Sequence, residues 1–114
     1  MDWTEVGSDR AFSWLQSKVG TTVYLAAGST RYQWWLLAKQ AVIDRCDTET
    51  GTLQLGLVDG GEFVTQFVQT KFTVSYRKEG VDEAFSFEFF GSDYFWVAIA
   101  TKLELLHTVD TSVH

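Results

Sequence analysis

Apolar and polar residues alternate along two neighbouring stretches, 72–77 and 85–89, with a polar break containing Gly80 between them. Phe72, Val74 and Tyr76 interleave with Thr73, Ser75 and Arg77, and Phe85, Phe87 and Phe89 interleave with Ser86 and Glu88. A period of two on both sides of a glycine-containing break predicts a β-hairpin. Setting Gly80-Val81 at its tip pairs Lys78 with Glu83, Tyr76 with Phe85, Val74 with Phe87 and Phe72 with Phe89, while Thr73 meets Glu88 on the other side. One face is then an aromatic ladder and the other is polar. A slip of one residue would turn every ring to water, so the register is strongly specified.

The rest of the pattern is read around this hairpin. Ser8 is placed to cap a helix with Asp9 in its first turn, and Ala11, Phe12, Leu15 and Val19 share one face with Trp14 roughly opposite. Lys18 and Gly20 mark the helix end. The β-branched run from Thr21 to Ala26 predicts a first strand, with Gly28-Ser29 as the turn after it. Between Arg31 and Asp47, Tyr32, Trp34, Leu36, Ala38, Gln40 and Val42 fall on one strand face, and Trp35, Leu37, Ala41 and Ile43 on the other. This run predicts a long, bent strand, with a helical turn as the rival. In the next turn Asp47 supplies a side-chain cap and Gly51 the left-handed position. That pairs Arg45 with Leu53, Ile43 with Leu55 and Ala41 with Leu57, and sets Asp44 opposite Gln54 and Cys46 opposite Thr52. Asp59-Gly60-Gly61-Glu62 is a further turn into a strand from Phe63 to Val68, and Gln69-Thr70 leads to the hairpin.

Ser92 or Asp93 caps the final element, where Phe95, Ile99, Leu103 and Leu106 recur at helical spacing. A strand over residues 97–106 is the competing reading of the same apolar run. The expected fold is α+β in a single domain spanning 1–114: an N-terminal helix, a meander of about six antiparallel strands, strongly bent or barrel-like, and a C-terminal helix packed on the sheet. This predicted order of elements resembles that of pleckstrin-homology-like barrels, a resemblance that implies an adaptor domain.

Composition narrows the function classes. Among 114 residues, 46% are hydrophobic and 21% charged, which suits a folded domain able to bury one core without metal or disulfide support. Aromatics reach 16%, more than so small a core readily hides, and that favours an aromatic surface for a partner. The net charge of −6 points away from nucleic acid and anionic membranes and toward a partner protein with a basic surface. Cys46 is the one cysteine, and the opening residues show neither a basic region nor an apolar run, so a reducing, cytoplasmic location is expected.

Candidate chemistry is sparse. His107, His114 and Cys46 make no metal-ligand spacing, and no nucleophile elbow or phosphate-cradling loop is present. No catalytic residue, cofactor or metal is therefore expected. His107 fits the end of the last predicted helix, and Cys46 fits a small strand residue. Asp44 and Glu88 lie within strands, where they form a wet stripe unless the sheet curls around a pocket.

Adjacent Trp34 and Trp35 face opposite ways on a strand, so at most one serves the core fully. The expected binding residues are Trp34, Trp35, Asp44, Asp47, Glu49, Asp82 and Glu83, with Trp35 as the outward anchor and the acids around it. The expected function is that of a small acidic protein-binding module, an inhibitor or antagonist. Viral, phage-encoded antagonists of bacterial defence such as anti-CRISPR proteins share this profile, as do bacterial immunity proteins. The alternative is a barrel that binds a small ligand, or the adaptor domain implied above. Strand edges free of proline leave room for a homodimer, through those edges or through the Trp34–Trp35 region.

Overall fold

The computed structural model describes residues 3–29, 34–67, 71–90 and 95–106, with the backbone alone for 34–38. These residues form eight strands: β1 (Thr4–Val6), β2 (Thr22–Ser29), β3 (Trp34–Asp47), β4 (Thr52–Leu57), β5 (Glu62–Gln66), β6 (Lys71–Glu79), β7 (Asp82–Phe90) and β8 (Phe95–Ala100). They also form one α-helix, α1 (Ser8–Ser17), and a 3-10 turn over Leu103–Leu106. Every strand pair is antiparallel, and the sheet runs in the order β1-β6-β7-β8-β2-β3-β4-β5. The fold is α+β, dominated by this single sheet.

The β6–β7 hairpin forms in the register drawn from its alternation. Lys78 pairs with Glu83, Tyr76 with Phe85, Val74 with Phe87, Phe72 with Phe89 and Thr73 with Glu88. Gly80, at φ +62°, supplies the left-handed position that the tight turn requires. The ring-bearing face meets α1, whose Ala11, Trp14 and Leu15 are buried in one cluster with Val23, Leu25, Ile43, Leu55, Phe85, Phe87 and Ile99. Burying each large apolar side chain contributes about 1.5–3 kcal/mol, so this face is where the fold is held. Phe67, just beyond β5, reaches across to Phe12, Phe72, Phe87 and Phe89 at centroid distances of 5.0, 5.4, 5.3 and 5.3 Å. The two ends of the sheet are thereby drawn toward one another over the helix.

On the opposite face β8 packs Trp96, Ala98 and Ala100 beside Ala26 and Ala84, under Leu105, Leu106 and Trp3. The alanines leave room for the 3-10 turn to lie close to the sheet. This corrects the expected C-terminal helix. With Val97 and Ile99 on one covered face and Trp96 and Ala98 on the other, β8 is apolar throughout, which hides its period of two. The order of elements shared with pleckstrin-homology-like barrels goes with that helix.

Other expectations are also revised. Among the described residues eight strands form rather than about six, since β8 replaces the expected helix and β1 has only three residues and no alternation to announce it. Among the described residues the hydrogen-bonded ladder ends at β1 and β5 and does not close into a barrel. Gly28 and Ser29 continue β2 instead of turning. Gly7, not Ser8, is the N-cap, without a side-chain cap bond. Trp14 is core, packed 4.9 Å from Phe85, because a buried helical stripe is wide enough to take a residue 60° from Ala11. Val19 lies past the helix end and is exposed. Tyr32, Val68, Gln69, Thr70, Ser92, Asp93, His107 and His114 lie outside the described residues. No helix among the described residues is long and apolar enough to cross a membrane.

Candidate functional site

The β3–β4 turn is built by Asp47. Its Oδ1 accepts from the backbone N–H of Glu49 at 2.9 Å and of Thr50 at 3.3 Å, and its Oδ2 accepts from Arg45 at 2.9 Å. The Arg45 bond, followed by the two backbone donors, holds the Asp47 carboxyl below the ordinary aspartate range. Gly51 takes the left-handed conformation at φ +67°, and its carbonyl receives the Phe67 N–H at 2.7 Å. Asp47 is thus committed to shaping the turn, while Glu49 beside it is exposed.

Asp44 departs from the predicted register. Ile43 pairs with Leu55 and Ala41 with Leu57 as drawn, but Arg45 pairs with Gln54 and Cys46 with Leu53. Asp44 is the extra residue of a β-bulge, so it faces no single partner. A Cβ on Gly56 would stand 2.9 Å from the Asp44 carboxylate, which explains the glycine there. Cys46 is half-buried, and burial, then the charge of Asp47, pushes its thiol above its ordinary value. A protonated thiol is a poor nucleophile.

Asp82 and Glu83 stand at the base of the β6–β7 turn. The Thr101 hydroxyl donates to Asp82 Oδ1 at 2.9 Å and accepts from the Glu83 N–H at 3.0 Å, tying the hairpin to the end of β8. Tyr76 donates to Glu83 Oε2 at 2.8 Å, and the Arg10 guanidinium lies 4.1 Å over the Tyr76 ring. Burial, then the bond to Glu83 and its charge, raises the Tyr76 hydroxyl, while Arg10 opposes the shift. Both acids are half-buried members of a structural junction rather than free surface charges.

The expected binding residues therefore fall into three regions. Trp34 and Trp35 open β3, where their backbones pair with Ser29 and Gly28; their side chains lie outside the described residues. Asp44, Asp47 and Glu49 stand at the far end of the same strand. The Gly51–Phe67 link brings that turn toward Phe72 and Phe89, seven residues along the hairpin from Glu79 and Asp82. At strand spacing that separates the two acidic groups by roughly 20 Å.

One surface feature was not foreseen. Where β1 leaves the sheet for α1, an open groove of about 960 Å³ is lined by Val6, Phe72, Val74 and Phe90, with Glu5 and Lys71 on its walls. Phe90 is 44% exposed. The signal for it was present in the sequence, because Phe89 and Phe90 are adjacent on a strand and cannot both face the core. The groove itself depends on the β1–β6 pairing, which is long-range. Among the described residues no three His, Cys, Asp or Glu side chains gather as a metal site. Comparison of the chain with protein-family models, curated proteins and solved structures finds no match.

Proposed function

We propose that this is a small acidic protein-binding module that acts as an inhibitor or antagonist, of the anti-CRISPR or immunity type, by docking on the basic surface of a partner protein. The observation that carries this reading is the groove at the β1–β6 edge. It joins an exposed ring, Phe90, to the apolar Val6, Phe72 and Val74, with one acid, Glu5, and one base, Lys71, on its walls, in a chain of net charge −6. A desolvated ring supplies affinity, while exposed acids elsewhere on the chain, Glu49 and Asp44 included, mainly speed encounter with a basic target. Phe90 is the anchor this reading favours beside Trp35, whose side chain lies outside the described residues. Asp47, Asp82 and Glu83 act through the shape of the turns they hold. The small-ligand reading gains no support from the described interior, which α1 and the aromatic rings fill.

The test is capture of partner from host lysate at low and at high salt, using the wild type, Phe90→Ser and Trp35→Ala. The wild type should retain a partner at low salt and release it at high salt. Phe90→Ser should weaken binding by about 2 kcal/mol or more while leaving stability within about 1 kcal/mol. Loss of binding with Trp35→Ala alone would move the anchor to the start of β3. Absence of any retained protein at low salt overturns the reading.

A further inference from the structure

The two ends of the sheet are guarded differently. β1 is three residues long and leads directly into α1, so little of its far edge is open to another strand. β5 has five residues in an unbroken register with β4, from Gly56–Glu62 to Thr52–Gln66, and no described element pairs with its far side. It carries no proline, no lysine and no bulge, the usual devices against edge-to-edge pairing.

The direction of its free backbone groups follows from its bonds to β4. The Leu57 N–H bonds to Gly61 O and the Phe67 N–H to Gly51 O, which sets Phe63, Thr65 and Phe67 as the residues that exchange bonds with β4. By the alternation of an antiparallel ladder, the N–H and C=O groups of Glu62, Val64 and Gln66 then point to the free side. These three residues are also the exposed ones, with Val64 at 53%.

We propose that β5 is the docking edge for a second copy of this chain, the two β5 strands pairing antiparallel about a twofold axis at Val64. That axis sets Val64 against the second copy's Val64, and Glu62 against the second copy's Gln66. Apolar surface meets apolar surface, and each carboxylate meets an amide that can donate to it. Each of these pairs exchanges two main-chain hydrogen bonds. An axis at Phe63 would oppose Glu62 to Val64, and one at Thr65 would oppose Val64 to Gln66. The sequence of β5 is therefore self-complementary about its middle residue. Glu62 is already steadied by Gln54, whose amide donates to it at 2.8 Å. Because each copy carries a net charge of −6, like-charge repulsion opposes the pairing and salt strengthens it. This is the reverse of the salt response expected for docking on a basic partner.

Sedimentation equilibrium on the whole chain tests the proposal, up to about 1 mM protein and at two salt concentrations. The wild type should show a monomer–dimer equilibrium that tightens as salt rises. Val64→Lys and Gln66→Glu each set like charges face to face and should weaken the dimer about tenfold or more, whereas Gln66→Lys, set against Glu62, should tighten it about fivefold. Both sites are exposed, and circular dichroism verifies that each of the three variants is folded. A wild type that stays monomeric across the whole range overturns the proposal, and so does a dimer indifferent to Val64→Lys and Gln66→Glu.

Discussion

The β6–β7 and β3–β4 hairpins are both antiparallel pairs closed by short glycine-containing turns, yet they tolerate error very differently. β6–β7 keeps one register over nine consecutive pairs, with Phe72, Val74, Tyr76, Phe85, Phe87 and Phe89 all facing α1 and its neighbours. β3–β4 breaks step at Asp44 and resumes one residue later, with Arg45 against Gln54. In the first, every residue fixes the face of the next. In the second, the bulge uncouples the strand end from the core, so the turn is held by Asp47 and by Phe67 reaching back to Gly51. Regular alternation buries rings, and a bulge re-aims a strand so that the remote end can curl over the helix.

The sharpest way to break this comparison is to remove one residue from each hairpin. Deleting Ser86 turns Phe87 to the opposite face and drives Glu88 into the aromatic cluster. The expected cost exceeds the roughly 5–15 kcal/mol that holds a domain of this kind together, so no cooperative urea transition should remain. A folded variant with native-like near-UV signal would show that the ladder does not fix the register. Phe87→Ala keeps the register and removes one fully buried ring, at an expected cost of about 3–5 kcal/mol. A loss below about 1 kcal/mol in chemical denaturation would mean that the ring is dispensable.

Deleting Asp44, by contrast, converts the bulge to regular pairing without changing a single existing partner, since Ile43–Leu55 and Arg45–Gln54 become consecutive. The expected change is within about 1 kcal/mol, the range of exposed positions, and a loss comparable with that of Phe87→Ala would show that the bulge supports the core. The smallest effect concerns the turn itself. The Asp47 carboxyl titrates low because Arg45 and two backbone donors favour its charged form. A depressed folded-state pKa means a contribution fully present above the unfolded aspartate value and lost as pH falls through the folded one. Following the carboxyl carbon by NMR should place the Asp47 midpoint below that of an ordinary aspartate, and Arg45→Ala should move it back up. A midpoint unmoved by that substitution would remove Arg45 as the cause.

What was legible in the sequence follows the same division. The β6–β7 register, the Asp47 cap, the left-handed Gly51 and the long β3 strand came from local alternation and turn chemistry, which adjacent residues specify by themselves. Asp44 did not, because a bulge leaves the residue pattern intact and shows only in the pairing. β8 was ambiguous because both of its faces are covered, so its period of two was hidden. Trp14 was misplaced by drawing the helical stripe too narrowly and too far, out to Val19. Of the expected binding residues, Asp47 is the turn cap that the pattern predicted and Glu83 pairs with Lys78 as drawn, but the hydrogen bonds of Asp47, Asp82 and Glu83 to Arg45, Thr101 and Tyr76 depend on partners that register or tertiary contact supplies. The groove beside Phe90 rests on a three-residue strand that the pattern could not announce.

The position of β8 also sets the order in which the molecule can assemble. In the ladder it joins β1-β6-β7 on one side to β2-β3-β4-β5 on the other, pairing residue 24 with residue 100 across almost the whole chain. The β2–β3–β4–β5 and β6–β7–β8 runs form from nearer partners, but until β8 reaches β2, and β1 reaches β6, their edges stay bare. Loop closure over that distance is slow, placing the domain among chains that fold in milliseconds to seconds rather than microseconds. The exposed interval before closure is the moment at which such a chain is open to aggregation. The joint between β8 and β2 thus bears on how quickly the protein becomes safe from its own edges.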